Sequence, residues 1–412
     1  MKYFRNTELA KLYNVSEKSV RNWIEAAQSG KLELQLHKNN GKNYVASTAR
    51  NEFLIKKIVE KNKKYKNTRG FRTIHPTEMF YEIYNQDQIL DIIANLTTYK
   101  EIPTFYSYSD GGANYWDSYA NRLMDEPVTN ILNATIKLLD LNAEYIDSYI
   151  KNVAGKDSKV NVIDLGPGNG LPIHPTLQRL LKQKRLNRYI AIESSKEMIH
   201  ILENNIQKWF KGKVTPESYV RDFSHERFGD LLAEDYAVDG ANGPVNLVFL
   251  LGGTLSNFRD PKHALQTISS SLGPNDILIC SGYLDTPETR RYFDFSVSHS
   301  SQKRRSQLIL DFLGVDESLY DIERKFNPHS LARSTCFIPK VDLNIQFSLS
   351  NTIRSIKLKK GEPILLWRHW HKDALGTIKQ FVGSGFDIML STKSVDEQHF
   401  LVMTKIKAGL ID

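Results

Sequence analysis

The stretch "VIDLGPGNGLPIHP", Val162–Pro175, is an apolar run that ends in an acid and breaks into three closely spaced glycines. What that turn can hold decides the reading of the chain. A nucleoside triphosphate loop needs Gly-Lys-Ser/Thr after its glycines. Here Gly170 is followed by Leu171-Pro172, and no lysine is placed to reach a phosphate. A dinucleotide turn needs GxGxxG opening directly into a helix whose N-terminus faces the pyrophosphate. The spacing is instead Gly166-Pro167-Gly168-Asn169-Gly170, and Pro172 and Pro175 postpone the helix. That suits a ligand without a pyrophosphate. A tight strand-to-helix corner that binds nothing is the alternative.

Working outward, strand and helix patterns alternate. "KVNVIDLG" reads as a buried strand and "HPTLQRLLKQKR" as a helix with Leu177, Leu180 and Leu181 on one face. "RYIAIE" and "ESYVRDF" read as the next strands, with "SKEMIHILENNIQKWF" as the helix between them. "PVNLVFLLGGTLSNF", the helical "KHALQTISSSL" and "DILICSGYLD" complete the series. Such alternation predicts an α/β fold with a parallel sheet and right-handed crossovers. Ligands of these sheets lie beyond the strand carboxyl ends. Glu193 ends the second strand and Asp222-Phe223 the third.

This order of features resembles the class I S-adenosylmethionine-dependent methyltransferase core, Rossmann-like and doubly wound. The resemblance implies S-adenosylmethionine as cofactor. Gly166, Gly168, Asn169 and Gly170 would lie beside its methionine part, and Glu193 would accept both ribose hydroxyls. Asp222 would take the adenine amino group, Phe223 would cover the ring, and Gly253 would line the site. Asp164 would meet the methionine amine or merely tie down the turn.

The rest of the composition sets bounds. At 412 residues two or three domains are expected. The content of 41% hydrophobic and 25% charged residues is that of a water-soluble globular protein. No apolar run is long enough to span a bilayer, and the first residues carry scattered charges rather than a leader pattern. Cys280 and Cys336 are the two cysteines, both in apolar surroundings, which predicts a cytoplasmic protein without a disulfide framework. No His/Cys cluster has metal-ligand spacing, and no metal is expected.

Charge is uneven. Met1–Gly70 holds 16 Lys+Arg against 6 Asp+Glu, a net +10, so the remainder carries −2 of the total +8. Within this basic segment Thr7 is expected to cap a helix with Leu9, Ala10, Leu12 and Tyr13 inward, broken at Asn14-Val15. Ser16 is expected to cap a second helix that buries Val20, Trp23 and Ile24. "LELQLHKNNGKNYV" reads as a hairpin wing turning at Asn39-Asn40-Gly41. The pattern resembles the helix-turn-helix of the excisionase and MerR-type winged-helix group over residues 1–60. It implies DNA contacts by Lys18, Ser19, Arg21 and Asn22 of the second helix and Lys42 of the wing. Docking of a protein and a purely structural role are the alternatives. "VEKNKKYKNTRGFRT", Val59–Thr73, is read as a linker or helix tail.

DNA and RNA amino-methyltransferases carry a proline-rich acidic or asparagine tetrad after the fourth strand, and this chain has "LLGGTLSNF" there. That segment resembles the histidine-specific N-methyltransferase family of the ergothioneine route, whose fungal relatives methylate a prenylated tryptophan. The resemblance runs from about Tyr106 to Lys405 and includes "YSDGGANYWDSY", "YIAIESS", "RDF" and "KLKKGEPILLWRHWH". It implies an α+β substrate domain inserted after the fifth strand and joined to the preceding helices. The expected boundaries are 1–70 for the helix-turn-helix module, 71–158 for a helical lead-in and 159–290 for the cofactor core. The insertion then spans 291–360, and 361–412 closes the core.

By position, Asn257 would hold the substrate's carboxylate or amino group, and Tyr283 would line the methyl-transfer side. The family's Tyr-Tyr-Pro-Thr-Arg stretch is not recognisable; "LMDEPVTN" stands near its place. Where the family presents Glu and Ser to an imidazole, this chain has Trp367 and His369. An indole cannot replace an acid's hydrogen bonds, and such mismatches discriminate by roughly 10⁴-fold. Free histidine is therefore not the expected substrate. Trp367, His369, Trp370 and His371 are expected to form an aromatic pocket for a cation or a larger flat amine. His369, Tyr106 and Tyr283 are the candidate proton acceptors. Two functions stand: a small-amine or amino-acid N-methyltransferase, or a DNA-binding regulator whose methyltransferase-fold domain senses a ligand with weak or lost activity. Methylation of a protein docked by the N-terminal module is a third.

Overall fold

The computed structural model describes residues 3–13, 15–39, 41–66, 70–126, 129–155, 158–233, 244–296, 307–350 and 352–407. The chain divides into two compact units, Met1–Arg72 and Thr73–Asp412.

The first unit runs β1 (Tyr3–Phe4), α1 (Asn6–Leu12), α2 (Glu17–Gln28), β2 (Leu36–Asn39), β3 (Lys42–Ala46) and α3 (Ala49–Lys66). Its three strands pair antiparallel in the order β1-β3-β2. Leu9, Val20, Trp23, Ile24, Val45 and Ile55 form its core. Ser16 caps α2 by accepting the Ser19 N–H at 3.2 Å. The α1 start departs from expectation. Thr7 lies inside the helix, and the cap is Arg5, whose backbone N–H donates to the Glu8 carboxylate at 2.8 Å. Leu12 turns outward and is 59% exposed. The expected break at Asn14 and the wing residue Asn40 lie outside the described residues. The basic stretch after Val59 continues α3 to Lys66, so it is a helix tail rather than a free linker; 67–69 are not described.

The second unit begins within β4 (Arg72–Ile74) and continues with α4 (Glu78–Ile83), α5 (Gln86–Thr98), α6 (Gly112–Asp125), α7 (Ile131–Leu141) and α8 (Ala143–Ala154). The alternating series follows as β5 (Val160–Leu165), α9 (His174–Lys182), β6 (Leu186–Glu193), α10 (Lys196–Phe210), β7 (Pro216–Val220), β8 (Val245–Leu250) and β9 (Ile277–Tyr283). A helix, Pro261–Ser269, joins β8 to β9. After β9 come β10 (Tyr320–Asn327), β11 (Ala332–Pro339), β12 (Leu343–Leu349), β13 (Thr352–Leu358) and β14 (Ile364–Trp370). The chain closes with helix Ala374–Val382, β15 (Phe386–Lys393) and β16 (His399–Ile406).

The main sheet has the order β15-β16-β9-β8-β5-β6-β7. β5 through β9 are mutually parallel, and β16 enters antiparallel to both β9 and β15. This is the class I methyltransferase α/β core. Strand alternation sends Val160 and Val162 to one face, where they meet Leu177, Leu180 and Leu202. Ile163 and Leu165 go to the other face, against Leu265, Ile268 and Phe381. Both faces are apolar, as a covered parallel sheet requires.

The inserted strands β10 to β13 form two further sheets, β10-β11-β14 and β13-β12-β4, with β14, expected to help close the core, and the lead-in strand β4. Their apolar side chains share one core with the lead-in: Phe80, Ile89, Ile92 and Leu96 pack with Ile309, Leu313, Phe337, Ile345, Phe347 and Leu366. Backbone bonds tie the two stretches as well, from Ile102 N–H to Leu365 O and from Leu365 N–H to Lys100 O, each 2.8 Å. Segments more than 200 residues apart therefore behave as one body over the strand ends. Among the described residues no helix is long and apolar enough to cross a membrane.

Candidate functional site

The carboxyl ends of β5 to β9 open into one cavity of about 650 Å³. At its floor the chain leaves β5 through Gly166 (φ 65°) and Gly168 (φ 57°). Both adopt the left-handed region that glycine enters without penalty. A Cβ on Gly168 would stand 3.1 Å from the Trp116 indole nitrogen. Asp164, Gly166, Gly168, Asn169, Glu193, Asp222, Phe223 and Gly253 all line the cavity.

Gly170 does not. A Cβ there would meet Leu202 at 2.6 Å and Trp209 at 3.4 Å, so this glycine serves the close packing of the turn on α10. Asn169 has a structural task too. Its amide donates to Asp117 of α6 at 2.8 Å, its Oδ1 accepts the Leu171 N–H, and its carbonyl accepts from Asn205. The segment before α6 is held similarly, by Glu197 at the start of α10 accepting the Asp110 and Gly111 N–H groups. Trp116 and Asp117 were not read as site residues from the sequence, although they lie inside "YSDGGANYWDSY".

The acids are tuned by their surroundings. Glu193 is buried, which pushes its carboxyl up, while N–H donors from Ser195, Ser194 and Gly168 and the Ser194 hydroxyl act against that. Burial also opposes charge on Asp222, yet donors from His225 and Ser224 outweigh it and hold the carboxyl low. The partners are His225 Nδ1 at 3.0 Å and the Ser224 N–H at 3.0 Å. Phe223 packs edge-on against Phe258, with ring centres 5.6 Å apart.

Asn257, Tyr283, Trp367 and His369 line the same cavity. Asn257 closes the turn Thr254–Asn257, which follows Gly253 (φ 83°). Its Oδ1 lies 3.5 Å from His369 Nδ1. The Tyr283 ring meets His369 edge-on at 5.5 Å, and Trp367 is stacked with it at 5.9 Å. Burial first, then His371 and Arg333, hold the His369 imidazole well below the ordinary range, so it is neutral at physiological pH. Trp116, Tyr119, Leu123, Ile131 and Leu132 also wall the cavity, and Tyr283 packs against this cluster.

Two of the four expected aromatic-pocket residues lie elsewhere. Trp370 occupies the other face of β14, and its indole N–H donates to the Phe258 carbonyl at 2.8 Å. His371 lies past the strand end, 3.5 Å from Asp285 and edge-on to Phe326. Tyr106 lines the cavity, but its hydroxyl donates to Asp91 at 2.9 Å. Burial and the Asp91 charge push that phenol far up, so Tyr106 is a donor and not a proton acceptor. Asp91 itself was missed in the sequence, though Gln88, Asp91 and Asn95 interrupt the apolar pattern of α5 on one face.

The residues present fit S-adenosylmethionine: a glycine cradle that a Cβ would fill, buried carboxylates at the ends of β5 and β6, and the half-buried Asp222 just past β7. The fold and this site define the chain as an S-adenosylmethionine-dependent methyltransferase. More particularly, residues 87–289, just under half of the chain, match the family model described as histidine-specific methyltransferase, SAM-dependent. No curated protein matches the chain. Similar solved structures include an S-adenosylmethionine-dependent methyltransferase from Clostridium acetobutylicum ATCC 824, with 11% identity, TM-score 0.38 and coverage of 71% of this chain and 98% of that one. Another is magnesium protoporphyrin IX methyltransferase (ChlM) from Synechocystis PCC 6803 with bound SAH, at 10% identity, TM-score 0.37 and coverage of 74% and 98%. The glycopeptide N-methyltransferase MtfA complexed with sinefungin is similar at 12% identity, TM-score 0.32 and coverage of 66% and 94%.

Asp164 yields a test of the floor. Burial, reinforced by the Glu193 charge and partly offset by the Tyr189 hydroxyl, raises its carboxyl to about 7. An unfolded aspartate titrates near about 4, so the folded chain binds the extra proton between about pH 4 and 7. Stability from this group therefore falls as pH rises through that window. Thermal melts of the ligand-free Asp164→Asn variant should lose that part of the pH dependence. A profile matching the parent's would remove Asp164 as its source.

Proposed function

We propose that the protein N-methylates a small amine or amino acid with an aromatic or flat apolar body, and that free histidine is not its substrate. The observation that carries this reading is the continuity of the cavity from the glycine turn to Asn257, Tyr283, Trp367 and His369. Both substrates of a methyl transfer fit one space, and the acceptor end is aromatic with a neutral imidazole.

When bound, the cofactor supplies a sulfonium methyl group open to in-line attack. Asp164 and the Gly166–Gly168 turn hold its methionine part, Glu193 its ribose, and Asp222 with Phe223 its adenine. The Asn257 amide orients the acceptor's amino or carboxylate group, which converts the encounter into a positioned reaction. Tyr283, Trp116 and the Leu123–Ile131–Leu132 wall exclude water, which favours the uncharged, nucleophilic amine. The neutral His369 imidazole accepts a hydrogen bond from the amine N–H, and the proton the nitrogen sheds passes to water as the product leaves. An indole at Trp367 disfavours an imidazole ring, which has hydrogen bonds to lose there.

Purified protein incubated with S-adenosylmethionine and a panel of aromatic and aliphatic amines should yield S-adenosylhomocysteine and a product heavier by a methyl group. Asn257→Ala should lower kcat/KM by roughly 100-fold through misplacement of the amine. Turnover of free histidine in preference to bulkier amines would contradict the substrate reading. Cofactor binding with no turnover on any amine would favour a sensing role.

A second reading concerns the first unit. Lys18, Arg21, Asn22 and Lys42 are all exposed there, whereas Ser19 is half-buried and its hydroxyl is shared with Ser16 at 2.9 Å. With the net charge of +10 this supports duplex DNA as a partner of that unit, by phosphate contacts that weaken with salt. Fluorescence anisotropy with duplex DNA should show salt-dependent binding that Lys18→Glu combined with Arg21→Glu abolishes. Absence of binding at low salt, or affinity untouched by the reversal, would exclude this partner.

A further inference from the structure

Phe223, at the end of β7, meets Phe258 edge-on, and the next residue, Arg259, donates to Asn95 Oδ1 at 2.9 Å. Asn95 lies one helical turn beyond Asp91, and its amide donates to Asp91 Oδ1 at 2.9 Å. Asp91 Oδ2 accepts the Tyr106 hydroxyl. Starting from the Asp222–Phe223 end of the cavity, contacts thus lead across it to a carboxylate on α5. The Asp91 charge acts on His225, which is bonded to Asp222, and the Asp222 charge acts on Tyr106, which is bonded to Asp91. Both acids line the same cavity. Each Asp91 oxygen has one partner and accepts up to two, so one acceptor site per oxygen remains.

We infer that Asp91 is a second carboxylate for the cofactor's nucleobase, facing Asp222 across the adenine and sharing the two hydrogens of its 6-amino group. This rests on the cofactor reading above. Asp222 belongs to the parallel-sheet core, whereas Asp91 belongs to the body built from the lead-in helices and the inserted strands. The nucleobase is therefore gripped by both bodies. β14, which presents Trp367 and His369, is bonded to the segment just after α5. Recognition of adenine is thereby tied to the position of the acceptor wall.

The chemistry is specific. Two carboxylates accept from an amino group, whereas a 6-oxo group turned toward them meets only repulsion. Calorimetric titration with S-adenosylhomocysteine and with S-inosylhomocysteine reads this directly, on the parent, Asp91→Asn and Tyr106→Phe. The parent should prefer the adenosyl compound strongly. Asp91→Asn should weaken that compound by roughly tenfold and bind the inosyl compound no worse, since an amide can donate to the oxo group. Tyr106→Phe, which removes a neighbour of Asp91 but no nucleobase contact, should leave the preference in place. An unchanged preference in Asp91→Asn, even with both affinities lowered together, would overturn the inference and make Asp91 structural. A parent that binds neither compound would overturn the cofactor reading itself, and this inference with it.

Discussion

A parallel sheet places the carboxyl ends of its strands along a single edge, and the function of this chain depends on that constraint. Crossover connections bring β5, β6, β7, β8 and β9 up in one direction. Every turn after a strand then opens toward the same space. Residues far apart in sequence converge there: the turn after Asp164, the acid Glu193, the pair Asp222-Phe223, the segment ending at Asn257, and Tyr283. The strands supply direction, and left-handed glycines supply the sharp departures that backbone close to a ligand requires.

The second constraint is what covers that edge. Helices α4 and α5 cannot bury their apolar faces on the main sheet, whose two faces are already filled. They pack instead on strands inserted more than 200 residues later, and Phe80, Ile92, Phe337 and Phe347 make one core of the two. This arrangement brings Asp91 of α5 and Trp367 and His369 of β14 to the lining of the cavity. Fastenings from Asn169 to Asp117 and from Glu197 to the Asp110–Gly111 backbone close its side. The residues proposed for cofactor and for acceptor are thus linked through packing as well as through the cavity.

Much of this was legible in the sequence because it is local. The strand and helix periods, the glycine spacing with its delayed helix, Glu193 at a strand end, and Ser16 ahead of α2 all follow from near neighbours. What depends on distant packing was not. Gly170 carries the same glycine signature as Gly166, but Leu202 and Trp209 of α10 are what exclude a side chain there. Asp91 belongs to the site only because α5 joins the inserted strands. Tyr106 looked like a base until its partner, Asp91, was in view. Trp370 is a different case: the period of two along β14 already separates it from Trp367 and His369, and that signal was available.

The account stands on the claim that this edge holds S-adenosylmethionine, with Glu193 as its most exacting contact. Glu193 is buried, with Ser194, Ser195 and Gly168 orienting it, so on the proposed reading its loss would leave the ribose hydroxyls without an acceptor. Equilibrium binding of S-adenosylmethionine to Glu193→Ala, with circular dichroism to verify the fold, tests the claim most directly. Affinity should fall by roughly 100-fold. A folded variant that binds the cofactor as tightly as the parent would contradict the site.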